Sequence, residues 1–131
     1  MKISTKGRYA LAIMLDLAMN NPEEYISLKD IATRQEVSIK YLERIIAILN
    51  KAGYVKSSRG NAGGYKLARK PDEYKVGDIL RTAEGDLAPT TCVLEGCHKQ
   101  DSCLTYSFWQ GLDNAIENYV DSKTLEDLIK K

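Results

Sequence analysis

The chain is sparing with several residues that mark large protein classes. In 131 residues it holds three cysteines, three prolines, one histidine, one tryptophan and one phenylalanine. With so little proline and only nine glycines a collagen-like repeat is excluded, and no apolar run is long enough to span a bilayer. No membrane partner is expected. The apolar stretch Ala10 to Ala18 is broken by Asp16 and lacks a small-residue cleavage site, so it reads as an amphipathic helix and not an export signal. That leads to an expectation of a cytoplasmic protein. Internal repeats and low-complexity tracts are missing, as is the Gly-Lys-Ser/Thr of a phosphate-cradling loop. Cys97 and His98 are adjacent, which gives neither the orienting acid nor the oxyanion site that a nucleophile pair needs. No catalytic residue is assigned, and the chain is not expected to be an enzyme.

With 44% hydrophobic residues, there is apolar material for one small core and an added element. The net charge of +1 conceals an asymmetry. Residues 1–70 carry 13 Lys/Arg against 6 Asp/Glu, a net +7, whereas residues 71–131 carry 6 against 12, a net −6. A basic first half suits a polyanion such as nucleic acid; chance clustering of surface charge is the plainer alternative.

Helical spacing of Tyr9, Leu11, Ala12, Met14, Leu15 and Ala18 predicts a first helix over Thr5–Met19, ended by Asn20-Asn21-Pro22. Ser27 is the N-cap of a second helix, with Asp30 answering three residues on. After a turn at Gln35-Glu36-Val37, Ser38 caps a third helix over Ile39–Lys51 that turns Leu42, Ile45, Ile46 and Leu49 inward and stops before Gly53. Strand-like runs at Tyr54–Ser58 and Tyr65–Ala68 flank Arg59-Gly60-Asn61-Ala62-Gly63-Gly64, a hairpin with a glycine-rich tip. A link at Pro71–Tyr74, a helix over Val76–Glu84 and an irregular loop over Asp86–Ser102 follow. From Leu104 the apolar residues step by four, as Leu104, Phe108, Leu112, Ile116 and Val120, with Trp109, Ala115 and Tyr119 widening the stripe. One short helix does not bury so wide a stripe alone, so this helix is expected to make a dimer. Thr124 and Asp127 form a capping-box pattern that opens a brief last helix.

Helix, turn, serine-capped helix and basic glycine-tipped hairpin is the order of a winged helix-turn-helix. A helix fits the major groove of DNA, where its first residues reach base edges and its dipole meets phosphate. Here those residues are Ser38, Ile39, Lys40, Tyr41, Glu43 and Arg44. Lys40 and Arg44 can donate to guanine or phosphate, Glu43 can accept from a cytosine amino group, and Ser38 and Tyr41 can reach backbone oxygens. A solvated helix face would look similar, and the hairpin weighs against that reading, although a glycine-rich tip is also an ordinary tight turn. Arg59 beside Gly60 places a guanidinium on a tip narrow enough for the minor groove.

The three cysteines form one cluster, Cys92-x4-Cys97-x5-Cys103. Soft anionic thiolates gathered on one loop suit an iron-sulfur cluster or zinc better than a disulfide framework, and three uncomplexed thiols are the alternative. Zinc would need a fourth ligand, for which His98 is the only imidazole.

Four motifs carry a resemblance. They are Met1-Lys2-Ile3-Ser4-Thr5-Lys6-Gly7-Arg8-Tyr9-Ala10, Tyr41-Leu42-Glu43, Arg59-Gly60-x-x-Gly63-Gly64-Tyr65 and Thr124-Leu125-Glu126-Asp127-Leu128. With them the chain resembles the IscR-like family of bacterial winged-helix transcription regulators, most closely the branch that controls iron-sulfur cluster biogenesis. The resemblance implies a homodimer whose long C-terminal helices cross, two recognition helices on a palindromic double-stranded operator, and a 2Fe-2S cluster held by Cys92, Cys97 and Cys103. Two departures bear on the fourth ligand: the first cysteine interval is one residue short of the family's, and Tyr106 stands where the family has histidine. His98 and Tyr106 both remain open for that role. The expected fold is mainly α with a small β-hairpin. It comprises a winged helix-turn-helix over residues 1–85, a cysteine-bearing cluster loop over 86–103, and a dimerisation helix with its tail over 104–131. The expected function is a repressor whose operator affinity follows the cluster; a zinc site or thiol switch on the same regulator, or a cluster carrier that does not read DNA, are the alternatives.

Overall fold

The computed structural model describes residues 2–20, 23–60 and 63–130. Its elements run α1 (Thr5–Met19), α2 (Leu28–Gln35), α3 (Ile39–Lys51), β1 (Val55–Ser58), β2 (Gly64–Leu67), a 3-10 turn (Pro71–Glu73), α4 (Val76–Glu84), α5 (Thr91–Glu95), α6 (Tyr106–Asp121) and α7 (Leu125–Lys130). The architecture is mostly helical with one antiparallel hairpin, as expected. Of the predicted stop to α1, Asn20 caps the helix, while Asn21 and Pro22 lie outside the described residues, as do Asn61 and Ala62 of the hairpin tip.

Serine caps start the first three helices. Oγ of Ser4, Ser27 and Ser38 accepts from the N–H of Gly7, Asp30 and Tyr41 at 3.2, 3.1 and 3.1 Å. Each satisfies a backbone donor that the helix itself cannot. The box at Thr124 is complete: Asp127 N–H donates to Thr124 Oγ1 at 3.1 Å, and Thr124 N–H donates to the Asp127 carboxylate at 2.9 Å.

α1 is the axis of the core. Its Ala10, Ile13, Met14 and Leu17 are fully buried against Ile31 of α2, Leu42, Ile45, Ile46 and Leu49 of α3, Ile79 of α4 and Leu125 of α7. Each such aliphatic side chain contributes about 1.5–3 kcal/mol by leaving water. α7 is thereby part of the first core and not a loose tail. Backbone bonds fasten it, from Val76 N–H to Lys123 O at 2.9 Å and from Leu125 N–H to Tyr74 O at 3.1 Å. A second, smaller cluster joins Val76, Leu80 and Leu87 to Ile116 and Val120 of α6. No helix among the described residues is long and apolar enough to cross a membrane.

Two sequence expectations are corrected here. The segment Asp86–Ser102 is not wholly irregular, because Thr91–Glu95 forms α5, which closes where Gly96, at φ +82°, donates its N–H to Cys92 O at 2.9 Å. The last long helix starts at Tyr106 and not at Leu104. A turn at Lys99–Ser102 and the pairing of Cys103 Sγ with Thr105 Oγ1 at 3.3 Å keep the chain off the helical path, leaving Leu104 97% exposed ahead of the helix.

Candidate nucleic-acid interface and thiol loop

The helical spacing of α3, at i, i+3, i+4 and i+7, turns Leu42, Ile45, Ile46 and Leu49 into the core, which leaves Lys40, Glu43 and Arg44 in solvent. None of these three forms an ion pair among the described residues. Ile39 at the helix start is also exposed, an apolar side chain beside three charged ones. Tyr41 is half-buried, its ring edge-on to Tyr9 with centroids 5.8 Å apart, so it ties α3 to α1.

The hairpin pairs Val55 with Leu67, Lys56 with Lys66, Ser57 with Tyr65 and Ser58 with Gly64. A third strand-like segment braces it: Ile26 and Tyr65 exchange backbone bonds of 2.8 Å each. Gly64 makes this approach possible. A Cβ on it would lie 2.1 Å from Ile26 O, and its φ is +152°. Arg59 and Gly60 stand exposed at the tip. Between the hairpin and the helices, Ser27, Asn50, Arg59, Gly60 and Tyr65 border an open groove of about 540 Å³. The structure therefore carries the exposed start of α3 and an arginine-tipped wing within one basic half of the chain.

Two supports of this surface were not read from the sequence. Tyr74 is buried beneath the wing, where its hydroxyl accepts from Ala68 and Arg69 N–H at 3.0 Å each and donates to Tyr54 O at 2.7 Å. Asp16 is the one buried charged residue among the described residues, and it accepts from Arg34 Nη2 at 2.7 Å and Gln35 Nε2 at 2.9 Å. An acid inside an otherwise apolar helical stripe is a signal for such a pair, because a buried carboxylate needs a partner. Arg34 is raised above its ordinary value by its hydrogen bond to Asp16.

The cysteine loop joins α4 to α6. Cys92 is half-buried in α5, whereas Cys97 and Cys103 are exposed, and all three are free thiols. Each has local company: Thr90 Oγ1 lies 3.0 Å from Cys92 Sγ, Lys99 N–H donates to Cys97 Sγ at 3.4 Å, and Thr105 Oγ1 is beside Cys103 Sγ. Hydrogen bonds from Thr105 hold the Cys103 thiol below its ordinary value. Thiol chemistry suits a soft ion or iron-sulfur cluster, but the placement in this single chain does not. Among the described residues no three Cys, His, Asp or Glu side chains form a group that could hold a metal ion, so His98 closes no site with the thiols.

Beyond the loop, α6 is fastened to α4 by Arg81, whose guanidinium bonds Glu117 and, at 2.8 Å, Asp121. Gly77 allows the two helices to meet, since a Cβ there would lie 2.1 Å from Asp121 Oδ1. Ile116 and Val120 are half-buried against this chain's own α4, Leu112 is half-buried, and Phe108 and Tyr119 are largely exposed at 63% and 66%.

The pattern of the Rrf2 family, described as an iron-dependent transcriptional regulator, matches residues 3–131. The chain belongs to the Rrf2 family. It is 41% identical over 130 residues to the HTH-type transcriptional regulator IscR of Aliivibrio salmonicida, covering 98% of this chain and 77% of that protein. Among solved structures, IscR of T. potens is similar at 46% identity and a TM-score of 0.80, covering 99% of this chain and 87% of that one. The global cysteine regulator CymR of B. subtilis is similar at 44% identity and a TM-score of 0.79, covering 98% and 95%. These relatives are regulators and not enzymes, and this Rrf2-family chain is an IscR-like transcription regulator of the helix-turn-helix type. DNA binding follows from that membership.

Proposed function

We propose that this chain is a cytoplasmic homodimer that represses transcription from a palindromic operator. In this reading the affinity follows a 2Fe-2S cluster held by Cys92, Cys97 and Cys103, and the regulated activity is cluster biogenesis. The observation that carries the DNA part is the solvent-facing set Lys40, Glu43 and Arg44 on α3 together with an exposed wing tip bearing Arg59 and Gly60. Arg59 enters the minor groove. Lys40 and Arg44 meet guanine or phosphate, Glu43 discriminates cytosine, Ile39 suits a thymine methyl, and Ser38 and Tyr41 lie near the backbone. Support for the cluster is chemical: three free thiols in the one segment between α4 and α6, outside the core, in a family described as iron-dependent. Gathering them requires the loop to rearrange, with His98, Tyr106 or a group of the second protomer as fourth ligand.

The separation of the thiols favours a second reading, in which they act one by one as a redox switch on the same regulator. One experiment decides. The wild type and the Cys92→Ala, Cys97→Ala, Cys103→Ala, His98→Ala and Tyr106→Phe variants are isolated anaerobically, and iron, acid-labile sulfide and operator affinity are measured. The cluster reading expects iron and sulfide in the wild type, their loss in each cysteine variant, and a change in operator affinity with that loss. Wild-type iron in the cysteine variants would sink it; no iron with affinity that still responds to peroxide would leave the redox switch. Iron and sulfide in a wild type that binds no specific duplex would leave the cluster carrier.

A further inference from the structure

The two lysines of the wing face each other. Lys56 and Lys66 are directly opposite in the hairpin register, and both lie on its solvent side because Val55 and Leu67 turn inward and are buried. Like charges placed opposite each other destabilise a sheet, so this pair works against the stability of the hairpin that bears it. Among the described residues no ion pair offsets it. Lys66 Nζ stands 4.8 Å from the centre of the Tyr25 ring, and the Arg69 guanidinium lies over Tyr74 at 4.8 Å and Tyr54 at 5.6 Å. Aromatic faces thus hold two of the cations in place without neutralising them. Together with Lys70 these side chains line a concavity of about 260 Å³ in which Glu23 is the single carboxylate. Among the described residues none of the four cations forms an ion pair.

We infer that this outer face of the wing grips the phosphate backbone of DNA alongside the groove that Arg59 enters. The inference rests on the DNA-binding reading above. Continuity with the tip points to DNA over a free anion. Lys56 is on the same hairpin as Arg59, three residues or about 10 Å along the strand. A two-stranded ribbon with side chains is wider than a minor groove of about 6 Å, so only its tip enters and the phosphate walls of the groove lie against its body. The cations are spread along the strands and the segment after them, as a backbone requires, and are not converged on one point. The wing then has two roles: its tip reads the groove, and its lysines add affinity that is blind to sequence.

The test uses the full chain and an operator duplex recovered by selection from random-sequence DNA. Affinity is measured by fluorescence anisotropy over a salt series for the wild type, for Lys56→Thr/Lys66→Thr, and for Arg59→Ala. Threonine suits a strand, so the double variant keeps the hairpin. It is expected to melt no lower than the wild type, to keep the same base preference, and to bind more weakly at every salt. The slope of log affinity against log salt is expected to fall by about 1.8 per protomer, at about 0.9 for each phosphate that a lysine no longer neutralises. Equal slopes and affinities for the double variant and a wild type that binds normally would overturn the inference and leave the DNA reading standing. A wild type that binds no duplex would remove both. Titration with inorganic phosphate completes the set: phosphate binding abolished in the double variant while its DNA slope stays at the wild-type value would assign the surface to a free anion, and so also overturn it.

Discussion

Arg34 of α2 closes a fork on Asp16 of α1. Its Nη2 lies 2.7 Å from Oδ1 and its Nε 3.0 Å from Oδ2. The Asp16 side chain is 2% exposed and that of Arg34 37%, so the pair spans the boundary between core and solvent. It fixes the first helix of the helix-turn-helix to the axis of the core, and with it the height at which α3 is presented.

The two halves of that pair are unequal, which gives the first prediction. Arg34→Ala leaves a carboxylate inside the core with Gln35 as its remaining partner, whereas Asp16→Ala leaves a guanidinium that can turn into water. Removing Arg34 is therefore expected to cost about 2–4 kcal/mol and removing Asp16 about 1–3. Urea unfolding of the two variants checks the order; a larger loss for Asp16→Ala would show that the carboxylate finds another donor.

Gly64 separates a steric demand from a backbone one. Gly64→Ala drives a methyl into Ile26 O, on top of the penalty of its φ of +152°, and should part the wing from the start of α2, at a cost of about 1–3 kcal/mol. Gly60→Ala meets no atom of the described residues within 4 Å, and it carries the penalty of its φ of +101°, about 1 kcal/mol. Thermal unfolding of both variants tests this. Equal losses would mean that the Ile26 backbone gives way without cost.

Much of this fold was legible because the signals are local. Ser27 and Ser38, three residues ahead of the N–H groups they cap, marked two helix starts, and the helical spacing of Leu42, Ile45, Ile46 and Leu49 marked the buried face of α3. What escaped depends on distance in the chain. Asp16 and Arg34 are 18 residues apart and Tyr54 and Tyr74 are 20, so no window of sequence relates them. The apolar stripe after Cys103 was visible, but not that Ile116 and Val120 spend theirs on this chain's own α4. The thiols were legible as a group of three, while their separation in space depends on α5 and on the turn after it, which local patterning did not show.

That division of α6 sharpens the expectation of a dimer. Phe108 is exposed and touches no core cluster, whereas Ile116 packs inside its own chain. A charge at Phe108 should then break dimers without harming the fold, and a charge at Ile116 should harm both. Light scattering and thermal melts of Phe108→Glu and Ile116→Glu test this: Phe108→Glu is expected to be a monomer of near wild-type stability, and a dimer would move the interface elsewhere.

The bond between Arg81 and Asp121 predicts an acid sensitivity with a definite sign. The hydrogen bond from Arg81 holds the Asp121 carboxyl below the usual carboxylate range, and Arg81 is itself raised, so only the acid titrates in moderate acid. A depressed folded value contributes stability that is fully present above the unfolded value near 4 and is lost as pH falls through the folded value. Asp127, lowered by its bond from the Thr124 backbone N–H, adds to the loss in the same direction. Asp121→Asn removes the first contribution and keeps the second. At neutral pH the variant is expected to be less stable than the wild type by about 1–2 kcal/mol, the scale of one charge-assisted bond in a partly exposed site. As pH falls below the unfolded value near 4 and on through the depressed folded value of Asp121, the two stability curves should draw together, because the wild-type carboxyl is then protonated as well. Thermal melts across that range decide the matter, and a gap of constant size at every pH would show that Arg81 holds α6 through Glu117 alone.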